Sequence, residues 1–88
     1  SSGVMIRALT AGAPLIVSDI PMLKEYINDR RNGLIFKEGD VADLSDKILI
    51  LLGDRDLQKE LSKNAKGYIK KEHNPDIIHD KLINAYKG

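Results

Sequence analysis

SSGVMIRALTAGAPLIVSDIP, residues 1–21, reads as a short helix, a turn and a buried strand that ends on a Ser-Asp pair. Val4, Ala8 and Ala11 recur at helical spacing, and Met5 and Leu9 widen that face. Gly12 is placed to end the helix, because the residue just past a helix end is often left-handed and glycine enters that region without strain. Pro14 prevents the helix from resuming and offers no N–H to a ladder, which suits the start of a strand. Leu15-Ile16-Val17 is a continuous apolar run, the pattern of a strand covered on both faces in a parallel sheet. Ser18-Asp19 then falls at the strand's carboxyl end, where open α/β sheets gather their ligands.

Working outward, Pro21 suits the first turn of a second helix, with Met22, Leu23, Tyr26 and Ile27 as its apolar side. Residues 28–33 form a polar connection in which Asn32-Gly33 is the turn signal, and Arg30-Arg31 reads as solvated surface. Leu34-Ile35-Phe36 is a second short apolar strand, closed by Gly39-Asp40. Asp40 is an N-cap, with Asp43 in the first turn favouring the positive helix end. Val41, Leu44, Ile48, Leu51 and Leu52 follow at helical spacing up to Gly53. Asp54 caps a further helix with the face Leu57, Leu61, Ala65 and Tyr68, Ile69 alongside, and Gly67 in it is expected to permit a close helix crossing. Asn74-Pro75 opens a last helix with Ile78, Leu82, Ala85 and Tyr86 on its face. The expected fold is α/β: two strands of a parallel sheet in residues 1–39, then three C-terminal helices in residues 40–88.

Composition removes several classes of function. The 88 residues carry 14 basic and 13 acidic side chains, so no strongly basic face is expected and nucleic acid is not an expected partner. There is no cysteine, hence no disulfide framework and no thiolate metal site. No apolar run approaches the roughly 18–20 residues of a membrane span. His73 and His79 stand six apart across a helix start, which is not the i, i+4 pair of a helical metal site, so no metal is expected and both read as structural or surface residues. No Walker-type loop or Gly-x-Gly-x-x-Gly pattern is present. Two parallel strands alone leave edges that need cover, which together with a start inside a motif suggests the C-terminal part of a longer protein.

The segment Ala8-Leu9-Thr10-Ala11-Gly12-Ala13-Pro14-Leu15-Ile16-Val17-Ser18-Asp19 resembles the "EAMA-x-G-x-PVI-x-S" stretch of retaining GT-B-fold glycosyltransferases. Pro21, Glu25-Tyr26-Ile27, Asn32-Gly33-Leu34-Ile35-Phe36 and Gly39-Asp40 follow in the family's order and spacing. The ordered match covers the first half of the chain, and the helical second half fits by pattern. The resemblance implies a Rossmann-like fold and a donor-binding domain of a glycosyltransferase. A nucleotide-sugar would be the donor substrate, with no further cofactor, and a missing N-terminal domain would carry the acceptor. It implies that Ser2, Gly3 and Val4 lie at the donor's diphosphate and Arg7 at the ribose position. It carries over no catalytic residue, and it implies a cytoplasmic protein, the membrane surface included. Glu25 matches a recurrent acidic position of the family, and it reads equally well as a solvated helix carboxylate beside Lys24.

Arg7 is also the departure. The family carries two glutamates eight positions apart; the second corresponds to Arg7, and the first would precede Ser1. Arginine has donors only and cannot replace a carboxylate acceptor, although it pairs well with phosphate. A second reading follows, a non-catalytic scaffold or partner domain with a degenerate donor site. A third, a receiver-like regulatory module, wants clustered acids at an early strand end, where this chain has the lone Asp19.

Overall fold

The computed structural model describes residues 2–72. Helix α1 (Ser2–Ala11) leads into strand β1 (Ile16–Ser18), the short helix α2 (Pro21–Lys24), strand β2 (Leu34–Phe36), helix α3 (Val41–Leu52) and helix α4 (Arg55–Glu72). His73, His79 and the helix expected from Asn74-Pro75 lie outside the described residues.

Gly12 ends α1 as its position demands. Its φ is 74°, its N–H donates to the Leu9 carbonyl, and the Ala13 N–H donates to the Ala8 carbonyl, both at 3.0 Å. This pair of bonds is a Schellman cap, which satisfies carbonyls the helix end would otherwise leave open. β1 then pairs in parallel with β2, Ile16 opposite Leu34, Val17 opposite Ile35 and Ser18 opposite Phe36. The strand is shifted by one residue from the apolar run, since Leu15 contributes only its carbonyl, accepting from Leu34 N–H at 2.8 Å.

The core corrects the expected face of α1. Met5, Ile6 and Leu9 are buried with Val17, Tyr26, Ile27, Ala65 and Ile69, whereas Val4 is 64% exposed and Ala11 is exposed. α1 is apolar around most of its circumference, so its packing against α4 decides which row turns inward. α2 is likewise shorter than expected. Tyr26 N–H donates to the Leu23 carbonyl at 3.1 Å, an i→i+3 bond that tightens the chain out of the helix. Tyr26 and Ile27 are therefore buried beyond its end, and Met22 is left 58% exposed.

The caps of α3 and α4 stand where the sequence puts them. Asp40 Oδ1 accepts from Asp43 N–H, and Asp54 Oδ1 accepts from Leu57 N–H, both at 2.9 Å. The expected stripe of α3 is not core among the described residues: Val41 is 79% and Leu52 71% exposed. The row that turns inward is Asp43, Leu44, Lys47, Ile50 and Leu51, all half-buried. α4 packs as expected, with Leu61 and Ala65 fully buried and Ile69 nearly so. Gly67 does not mark a close crossing among the described residues, because a Cβ there would meet no atom within 4 Å. Gly67→Ala is accordingly expected to raise stability by about 1 kcal/mol, the helix-propensity difference, read as a higher urea midpoint with an unchanged slope.

Candidate functional site

Because β1 and β2 are parallel, Ser18 and Phe36 finish them at the same edge. Two carboxylates organise this carboxyl edge. Asp19 Oδ1 accepts from Glu38 N–H at 3.0 Å, tying the end of one strand to the loop after the other. Asp43 Oδ2 accepts from Lys37 N–H at 2.7 Å, and its Oδ1 accepts from Lys47 Nζ at 2.8 Å. The Lys47 ammonium, and after it the Lys37 N–H, hold the Asp43 carboxyl below the usual carboxylate range. The same bond holds the Lys47 ammonium above its ordinary value. Asp19, expected at a ligand edge, thus has a structural bond there.

The four residues singled out for a ligand sit on the first turns of α1. Ser2 opens the helix, Gly3 is buried, and Val4 and Arg7 are exposed one turn apart. The first four N–H groups of a helix have no intrahelical acceptor, and the positive end of the helix dipole lies with them. No acidic residue occupies the first turn of α1 to neutralise it. Arg7 forms no ion pair among the described residues. Such an end is chemically suited to an anion, with the glycine admitting close approach and the arginine adding charge. Glu25 is exposed, and its backbone carbonyl accepts from the Tyr68 hydroxyl at 3.3 Å.

The opposite edge holds what sequence reading missed. Asn32 is 2% exposed, the one buried polar side chain among the described residues. Its Nδ2 donates to the Tyr26 carbonyl at 2.9 Å, and its Oδ1 accepts from Asn28 N–H at 2.6 Å. Asp29 Oδ1 accepts from Ile35 N–H at 2.9 Å, and the Arg31 carbonyl accepts from Asn64 Nδ2 at 2.8 Å. Arg30, not Asn32 or Gly33, takes the left-handed backbone, at φ 64°. Gly33 is needed for close approach instead, since a Cβ there would lie 3.0 Å from Ile27 Cγ2 and 3.3 Å from the Leu15 carbonyl. Asn-Gly signals a turn, but nothing local announces that the asparagine side chain fastens it. Among the described residues no group of three or more His, Cys, Asp or Glu side chains is placed to hold a metal ion.

Known proteins share this fold. The chain is similar in structure to part of a sucrose-phosphate synthase from Thermosynechococcus elongatus, with a TM-score of 0.78 at 25% identity, over 96% of this chain and 21% of that one. An uncharacterized glycosyltransferase of Methanocaldococcus jannaschii is 32% identical over 68 residues, 77% of this chain and 19% of that protein. An N,N'-diacetylbacillosaminyl-diphospho-undecaprenol alpha-1,3-N-acetylgalactosaminyltransferase of Campylobacter jejuni is 32% identical over 82 residues, 93% of this chain and 22% of that protein. The chain thus spans about a fifth of the length of these relatives. The sequence model described as glycosyl transferases group 1 matches residues 3–68, from the buried glycine of α1 to Tyr68 of α4. With its Rossmann-like parallel pair and flanking helices, this chain belongs to the group 1 glycosyltransferase family.

Proposed function

We propose that this chain is the C-terminal part of a glycosyltransferase donor-binding domain, and that it holds the diphosphate of a nucleotide-sugar at the start of α1 while the sugar passes to an acceptor carried by another domain. The observation that carries this reading is the start of α1: a ten-residue helix with no acid in its first turn, a buried glycine at its second residue and an exposed arginine one turn on. Departure of the sugar leaves negative charge on the nucleotide diphosphate. Backbone N–H groups of Ser2, Gly3 and Val4 would stabilise that charge without reorganising, and Arg7 would add a guanidinium to it. No residue of this chain is assigned the proton transfers. The Campylobacter jejuni relative and a poly(ribitol-phosphate) alpha-N-acetylglucosaminyltransferase of Staphylococcus aureus, 28% identical over 96% of this chain and 17% of its own length, are named for hexosaminyl transfer. Their acceptors differ, in keeping with an acceptor chosen outside this segment.

Calorimetric titration of the full-length protein with UDP, GDP and ADP tests the reading. Diphosphates are expected to bind more tightly than the matching monophosphates. Arg7→Ala is expected to weaken diphosphate binding by roughly 1.5–3 kcal/mol, the worth of a charged hydrogen bond. The arginine at a position where the family carries glutamate favours a second reading, a scaffold with a degenerate donor site. Binding that appears only in Arg7→Glu would select that second reading, and no binding by either form would overturn the donor site.

A further inference from the structure

Of the five asparagines in the chain, Asn32 alone is followed by glycine. An asparagine side chain is open to attack by the backbone nitrogen of the next residue, and that residue's own side chain is the main obstacle. Gly33 has no Cβ and presents none. Asn28 precedes an aspartate, Asn64 and Asn84 precede alanines, and Pro75 after Asn74 has no N–H to lose. In a freely moving chain, Asn32 is therefore the most reactive asparagine.

The fold keeps the reacting groups from meeting. Attack requires the Asn32 side chain to turn its Cγ onto the Gly33 nitrogen, and a base from solvent to take that nitrogen's proton. Asn32 is 2% exposed and Gly33 is buried, so solvent base is shut out. Both ends of the amide are engaged, Nδ2 with the Tyr26 carbonyl and Oδ1 with the Asn28 N–H. The backbone is held on either side as well. Asn32 N–H donates to the Asn28 carbonyl at 3.2 Å, and Arg30 N–H donates to the Gly33 carbonyl at 2.8 Å. Ile27 closes over the glycine, its Cγ2 only 3.0 Å from where a Cβ would stand. The loop has to open before the amide can turn.

We infer that Asn32-Gly33 is a deamidation site that the folded loop keeps closed and that loop opening exposes. In the open chain the Gly33 nitrogen gives its proton to solvent base and bonds to Asn32 Cγ. The Cγ–Nδ2 bond breaks, and the nitrogen takes a proton from water and leaves as ammonia, closing a succinimide ring. Water then opens the ring at one carbonyl or the other, leaving an aspartyl or an isoaspartyl residue at position 32. Neither product fits the closed loop. An aspartyl carboxylate has no proton to donate to the Tyr26 carbonyl. An isoaspartyl link adds a methylene to the main chain just before Leu34, which has to stay opposite Ile16 in the sheet. Openings that last long enough to react thus withdraw chains from the folded population, and position 32 keeps a covalent record of them. The inference does not depend on what the start of α1 binds.

The test ages the full-length protein in mildly alkaline buffer, native and unfolded in guanidinium chloride. Peptide mapping by mass spectrometry follows the change from amide to acid at each asparagine, and an isoaspartyl methyltransferase labels the isoaspartyl fraction. Two buried hydrogen bonds have to break together, each worth roughly a factor of five, so conversion at Asn32 is expected to be at least about tenfold slower in the native protein. In guanidinium chloride Asn32 is expected to convert faster than Asn28 or Asn64, and Gly33→Ala is expected to slow it there, where folding of the variant is immaterial. Light proteolysis of the aged native sample removes open chains, and the resistant chains are expected to keep the Asn32 amide. A native rate less than about tenfold below the unfolded one would overturn the inference. So would faster conversion at Asn28 or Asn64 in the unfolded chain, an unchanged rate in Gly33→Ala, or equal conversion in resistant and digested chains.

Discussion

Leu9→Ala is expected to cost roughly 2–5 kcal/mol, the range for emptying a leucine site in a packed core. Leu9 is fully buried on α1 and belongs to the cluster that joins α1 to Val17 of β1 and to Ala65 and Ile69 of α4. The α4 side of that cluster is Ala65 and Ile69, and an alanine has no further side chain with which to fill the space. Partial collapse is therefore small, and the cost should fall in the upper half of the range. Against a typical domain stability of about 5–15 kcal/mol this is a large share. Urea unfolding of the intact protein reads it as a lower midpoint, and Leu9→Met, which keeps the volume, should lose less than about 1.5 kcal/mol. Equal losses in the two variants would mean that shape, not the cavity, sets the effect.

Asn32→Asp is expected to be the most damaging change of a polar side chain. The amide of Asn32 donates to one backbone carbonyl and accepts from one backbone N–H, both within its own loop. An ionised aspartate keeps the second bond but loses the first, turns an oxygen toward the Tyr26 carbonyl and buries a charge. The combined cost is on the order of 3 kcal/mol at neutral pH. The sign of its pH dependence follows. Burial and the facing carbonyl raise the folded pKa of this new carboxyl above its unfolded value, because the protonated form can donate to Tyr26 as the amide did. The folded state then holds the proton more tightly, so the penalty grows as pH rises above the unfolded value near about 4 and shrinks as pH falls toward it. Denaturation of wild type and variant across that window should show the gap between them closing on acidification. Asn32→Ala, with nothing to titrate, should show a loss that does not vary with pH.

What could be read in advance was what the chain decides locally. Gly12, Pro14, Asp40 and Asp54 act on their own backbone or on a group a few residues away, and each stands in its expected role. The two strands, a few apolar residues each, were legible within one position. Choices between faces were not. In α1, Val4 and Ala8 compete with Met5, Ile6 and Leu9 for the inward row, and only contact with α4 separates them. In α3 the most regular apolar row, Val41, Ile48 and Leu52, faces outward, while a row containing the paired Asp43 and Lys47 turns in. At the candidate site, residue type and the departure at Arg7 were plain in the sequence. That Asp19 is tied to the Glu38 N–H was not, because the bond spans nineteen residues. Nothing in the sequence of α4 announced that the fold would set Arg31 and the Gly12 turn beside its lysines.

The packing of α1 on α4 also bears on where this chain tolerates alteration. The two helices are the first and last elements described, and each covers apolar side chains of the other: Met5, Ile6 and Leu9 on one side, Ala65 and Ile69 on the other. They work as a clasp. A fragment lacking either helix would present the other's apolar row to water, so removing one unfastens both. The corners between them are a different matter. Lengthening a loop raises its closure cost only logarithmically, by about 0.6 kcal/mol per doubling. The exposed turns at Gly39 and at Gly53-Asp54 are thus the places where insertions or affinity tags can be accommodated while the clasp stays shut.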